Sequence, residues 1–176
     1  YHFGPLHAET IGDSTFSNLM TYDKYIYNHR VGFANKTILE LNNVPESEWD
    51  SLQHFQFVYF LFPNVIILVS PDYINYFELY PGKEVNNHLT RFSLYKRSQM
   101  TTEKEKREAQ EQYDFIYSVV EKDDYWVSEN VMKGFNSGLH PHSIFGKNEL
   151  SLIYMHQSFR DAVGLDPEDV ELKRVK

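Results

Sequence analysis

Gln56-Phe57-Val58-Tyr59-Phe60-Leu61-Phe62-Pro63-Asn64-Val65-Ile66-Ile67-Leu68-Val69 decides how this chain folds. β-Branched and aromatic residues crowd both halves, and such side chains pack well on a pleated surface. Pro63-Asn64 divides the run, because proline cannot donate to a strand ladder and asparagine suits a turn. Two strands follow, at 56–62 and 65–69. Pro71-Asp72 and Pro81-Gly82-Lys83 are the next turn signals, so further strands are expected at 73–80 and 87–95. Strands this close in sequence make an antiparallel meander.

The flanks read differently. Asp13-Ser14-Thr15 has the form of a cap for a short helix reaching Tyr27. Residues 31–43 read as extended, and Pro45-Glu46-Ser47-Glu48 as a loop or helical start. After the meander the texture changes. Thr101-Thr102-Glu103-Lys104-Glu105 opens a helix with a cap and a charged first turn. That helix is expected to reach about Lys133, with Gly134 and Gly138 ending it. The charged stretch 103–111 is a solvated helix face. The apolar run 150–155 reads as strand-like, and residues 166–176 as a charged tail. The whole, 1–176, is one α+β domain: an antiparallel sheet with a long helix packed on one face.

The 176 residues suffice for one hydrophobic core. A net charge of −8 argues against nucleic acid and against an anionic membrane surface as partners. No apolar run approaches the roughly 18 residues of a spanning helix. There is no cysteine, which removes disulfides, thiolate zinc sites and cysteine-ligated iron–sulfur clusters from this chain. That composition is compatible with the cytoplasm, the expected location. Any metal would fall to histidine and carboxylate. Thirteen Tyr and thirteen Phe suit either an aromatic-lined cavity or a Phe/Tyr-rich sheet core.

Within the long helix, Tyr113, Ile116, Tyr117, Val120, Val127 and Val131 fall on one face at three- and four-residue steps. Asp124 lies on the same stripe. An ionised carboxylate facing a core is costly unless a cation or metal meets it. Asp123 lies about 100° away around an α-helix, off that stripe. The chain opens Tyr1-His2-Phe3-Gly4-Pro5-Leu6-His7. Two imidazoles and one carboxylate can hold one face of an octahedral iron(II), leaving the opposite face open. His2, His7 and Asp124 are the candidate ligands. Spacing alone also suits incidental histidines and a carboxylate bonded to backbone or to an arginine. His54, His88 and His156 sit in strand-like contexts as structural histidines. His140 and His142 flank Pro141 in an exposed loop.

The segment Val120-Glu121-Lys122-Asp123-Asp124-Tyr125-Trp126-Val127-Ser128-Glu129-Asn130-Val131-Met132-Lys133-Gly134 resembles the iron-binding helix of Rieske-type ring-hydroxylating oxygenases, in the catalytic domain of the α subunit. Asp124 and Glu129 have that family's spacing. Tyr1-His2 with His7 resembles its paired-histidine segment. Phe145-Gly146-Lys147-Asn148-Glu149 and Ile153-Tyr154-Met155-His156 resemble its closing strand-to-helix segment. Met132 departs from the pattern, standing where the family has a glutamine.

The resemblance implies a helix-grip fold of the START and Bet v 1 kind, with the sheet wrapped around a long C-terminal helix. It implies a non-haem iron(II) oxygenase, a dioxygenase or monooxygenase, that hydroxylates an apolar or aromatic substrate with dioxygen. His2, His7 and Asp124 would hold the iron, with Asp123 and Glu129 behind the ligands. On this reading Asp124→Ala abolishes iron binding and turnover, and Asp123→Ala does neither. Phe3, Leu6, Phe115 and Val120 would line the substrate pocket. Electrons would come from a Rieske [2Fe-2S] centre on an N-terminal domain outside this chain, fed by a ferredoxin or reductase, in a homotrimer or α3β3 assembly. Two other classes suit the same pattern: a non-enzymatic helix-grip module for an apolar ligand, and a hydrolytic zinc site on the same three residues.

Overall fold

The computed structural model describes residues 7, 10, 12–139 and 143–165. Among them, six strands form one antiparallel sheet in the order of the chain: β1 (Thr15–Tyr25), β2 (Asn28–Asn35), β3 (Phe55–Leu61), β4 (Val65–Val69), β5 (Tyr73–Pro81) and β6 (His88–Lys96). The expected meander is present, with strand ends within about a residue of their sequence assignments. Side-chain amides secure its turns. Asn28 Oδ1 accepts from the Phe62 N–H at 2.8 Å, beside the cis Phe62–Pro63 bond. Asn64 Nδ2 donates to the Leu79 carbonyl at 2.9 Å, tying the β3–β4 turn to β5.

The expected helix up to Tyr27 is instead strand β1. Its pairing with β2 runs from Met20↔Phe33 to Tyr25↔Asn28, after an irregularity between Thr15 and Met20. Long-range pairing overrides the local capping signal there. The 31–43 stretch is extended only to Asn35 and then becomes a 3₁₀ segment, Lys36–Asn43.

Among the described residues four α-helices accompany the sheet: the single turn α1 (Ser51–His54), α2 (Glu103–Val119), α3 (Trp126–Asn136) and α4 (Leu150–Val163). Thr102 and Glu105 form a reciprocal capping box at the start of α2. Gly134 lies inside α3, and the backbone turns left-handed at Gly138 (φ 70°). The strand-like reading of 150–155, and with it that of His156, gives way to α4, which Gly164 ends at φ 71°. A run of six residues with one serine among five apolar side chains suits a buried strand or a packed helix equally, and packing decides.

One sheet face carries the core. By register, His29, Phe60, Ile66, Phe77 and Phe92 form a row across β2 to β6. Phe77 stacks on Phe92 at 4.7 Å between centroids, and Phe92 stacks on Tyr113 of α2 at 4.6 Å. At the other end Phe159 of α4 meets Phe60 and Phe62. Val31, Ala34, Phe60, Phe77 and Val119 are the buried apolar residues. Each buried Val or Phe contributes about 1.5–3 kcal/mol. On the opposite face, the Arg30 guanidinium bonds Asp23 at 2.9 and 2.7 Å and lies over the rings of Phe57 and Tyr59. Gly32 makes room there, since a Cβ would sit 2.6 Å from Thr21 Oγ1 and 2.9 Å from the Phe57 ring.

The fold is therefore α+β, an antiparallel sheet gripping a long helix.

Candidate functional site

The long helix is not α-helical throughout. Between α2 and α3, residues Val120–Tyr125 form a π-helical turn. Bonds there run one residue further than in an α-helix, so the side-chain phase slips. The expected stripe fails on both sides of this turn: Val119 before it is buried, whereas Tyr117 before it and Val131 after it, both assigned to the inner stripe, are about half exposed. Asp123 gains enclosure and Asp124 loses it: their side chains are 14 % and 38 % exposed. The expectation of a deeply buried Asp124 and an outlying Asp123 is thus reversed.

Both aspartates face the same imidazole. His7 is buried. Its carbonyl accepts from the backbone N–H groups of Thr10 at 3.0 Å and Gly12 at 2.7 Å, which fixes the segment. His7 Nδ1 lies 2.9 Å from Asp123 Oδ2, and the Thr10 hydroxyl donates to the same oxygen at 3.3 Å. His7 Nε2 lies 3.6 Å from Asp124 Oδ1. One carboxylate occupies one ring nitrogen, and the second faces the other. Proton or metal, a cation between Nε2 and Asp124 would meet an imidazole whose opposite nitrogen is already bonded.

Two ligand atoms bound about 2 Å from one metal lie roughly 3–4 Å apart. The 3.6 Å between His7 Nε2 and Asp124 Oδ1 meets that requirement. One imidazole nitrogen and one carboxylate oxygen are also the donor types of an iron(II) facial site. His2, the third expected ligand, lies outside the described residues. Among the described residues no group of three or more His, Asp or Glu side chains is arranged to hold a metal. The donor pair fits the group in chemistry and spacing.

A cavity of about 250 Å³ lies beside the π-helical turn, between it and the β5–β6 end of the sheet. Its walls are Phe77, His88, Leu89, Thr90, Phe92, Tyr117, Val120, Glu121 and Tyr125. His88 meets the Tyr125 ring edge-on at 5.6 Å. Of the expected pocket residues, Val120 lines this cavity. Phe115 does not and is 45 % exposed, while Phe3 and Leu6 lie outside the described residues. Glu129 is exposed on α3. His88 belongs to this cavity rather than to the structural histidines. The loop pair His140 and His142 is outside the described residues.

Comparison with known proteins gives the family. The model of the ring hydroxylating alpha subunit (catalytic domain) matches residues 1–165. That is nearly the whole chain, and the protein belongs to this family. The curated proteins and the solved structures gave no match. Membership places the chain among the ring-hydroxylating oxygenases, an oxidoreductase family. Among the described residues no helix is long and apolar enough to cross a membrane.

Proposed function

We propose that this domain is the catalytic part of a non-haem iron(II) oxygenase, with His2, His7 and Asp124 as metal ligands and the cavity against the same π-helical turn as the substrate pocket. The observation that carries the reading is the 3.6 Å approach of His7 Nε2 and Asp124 Oδ1, two residues that lie within the span of the family match. Iron(II) held there would supply the electrons-and-dioxygen chemistry needed to hydroxylate an unactivated apolar or aromatic carbon. A Rieske [2Fe-2S] centre on another domain, reached from a ferredoxin or reductase, is the proposed electron source. A trimeric assembly and a cytoplasmic setting belong to the same proposal.

The chain's own residues do the positioning. Asp123 holds His7 Nδ1, which keeps the proton on that nitrogen and makes Nε2, the atom facing Asp124, the one that would bind metal. Thr10 supports the Asp123 oxygen that takes this bond. Phe77, Phe92 and Tyr125 give the cavity apolar walls that orient a ring and exclude water.

Iron bound per chain tests the assignment. Asp124→Ala should abolish binding. Asp123→Ala should weaken it about 10- to 100-fold, the usual cost of losing the group behind a ligating histidine. This replaces the expectation, made without the His7–Asp123 bond, that Asp123→Ala is silent. Full iron in Asp124→Ala would defeat the assignment. The cavity also suits a non-enzymatic apolar-ligand module; absorption at the iron edge on protein purified without added metal separates the two.

A further inference from the structure

Thr90 stands on the core face of β6, across from Leu79 and two residues before Phe92. It lines the cavity. Its hydroxyl oxygen is buried and has no hydrogen-bond partner among the described residues. Buried hydroxyls are nearly always paired, so an orphan beside a cavity marks a place for something absent. As placed the oxygen is enclosed, and a staggered turn about χ1 that exchanges it with the threonine methyl would aim it into the cavity.

The rest of the wall limits what that something is. An engineered cavity of about 150 Å³ holds benzene, so about 250 Å³ takes one substituted ring. Phe77 and Phe92 offer ring faces. Glu121 is the charged lining residue, and neither Lys nor Arg is among the lining residues. A carboxylate in this cavity would find an acidic side chain and no fixed cation, inside a chain of net charge −8.

We infer that the cavity selects a single aromatic ring bearing a neutral hydrogen-bonding substituent, a phenol or an aniline, over a benzoate, and that Thr90 reads the substituent. A phenol O–H or aniline N–H donates to Thr90 Oγ1, and the ring stacks on the phenylalanine wall. Calling this occupant the substrate rests on the oxygenase reading; the selectivity is a binding property and stands apart from it.

Fluorine NMR titration of the purified protein at about pH 8, where imidazoles are neutral, tests the inference. The probes are 4-fluorophenol, fluorobenzene and 4-fluorobenzoate. The phenol should bind about tenfold tighter than fluorobenzene, the yield of one added hydrogen bond, and the benzoate most weakly. Thr90→Val should bring the phenol down to the affinity of fluorobenzene while leaving fluorobenzene unchanged. Thr90→Ser should keep the phenol preference. Should the valine variant misfold, Thr90→Ala carries the same expectation. Glu121→Gln should restore part of the benzoate binding. A phenol preference that survives loss of the hydroxyl overturns the inference, as does benzoate binding as tightly as phenol, or no binding by any probe. Iron content measured on the same samples keeps the two readings separate. Iron-free protein with the expected ranking sinks only the oxygenase, and iron-loaded protein with the wrong ranking sinks only the role of Thr90.

Discussion

His29 is a titratable side chain with no room for a second proton. It is buried on β2, stacked on Phe60 at 5.1 Å, and its Nδ1 has no hydrogen-bond partner among the described residues. Burial pushes its pKa below the ordinary 6.5. The unfolded chain therefore binds the proton more readily than the folded one between these two values. Stability is full above about pH 6.5 and falls as acid is added toward the folded value. His29→Phe should remove this part of the pH dependence and raise stability near pH 5.5, read as denaturation midpoints across roughly pH 5 to 8. An unchanged pH profile in that variant would place the acid sensitivity elsewhere. The same scale shows what the sequence can reveal of the site. His7 and Asp124 stand out by residue type and by the pattern around them. Asp123 does not, because its place opposite Nδ1 depends on a helical phase that α-periodicity misreads. Thr90 is invisible for a simpler reason: no pattern of residues marks a hydroxyl that lacks a partner.

Elements differ in how much of their form is local. The β3–β4 and β5–β6 hairpins carry their own turn residues, and α2 carries its own cap, so all three are legible in the chain. β1 is not, since its partner strand lies beyond a turn with no Gly, Asn or Pro signal at its start. That turn places Ile26 at φ 55°. A β-branched residue is poorly suited to left-handed backbone, at a cost of about 1–2 kcal/mol. Ile26 is also largely exposed, so little packing offsets the strain. Ile26→Asn should stabilise the protein by about 1 kcal/mol, because asparagine tolerates this conformation. Chemical denaturation measures it, and a loss of stability would show that Ile26 is held by contacts outside the hairpin. α4 is misread for a related reason: a short, mostly apolar run fits a strand until Phe159 is seen packing on the sheet.

For the whole molecule, the centre joins distant parts of the chain. His7 and Asp123 are 116 positions apart, one before the sheet and one after it. A metal shared by His7 and Asp124 would bind the folded chain and not the unfolded one, and so stabilise it by mass action. At free iron(II) about one hundred times the dissociation constant, the gain is about 2.7 kcal/mol. Anaerobic thermal unfolding should show the midpoint rising with iron(II) in the wild type and staying flat in Asp124→Ala. A flat response in both would remove the metal from the account.

The extra residue accommodated within Val120–Tyr125 also bears on how this helix tolerates insertions and deletions. Excising one residue there would let the segment close into continuous α-helix. The wide turn absorbs that residue as a local bulge, so α3 would keep nearly its present phase relative to α2, and the change would fall on the segment's own side chains. Folding could survive such an edit, while the two carboxylates would no longer share an imidazole. The length of this short segment, together with its two aspartates, is what natural variation can least afford to change.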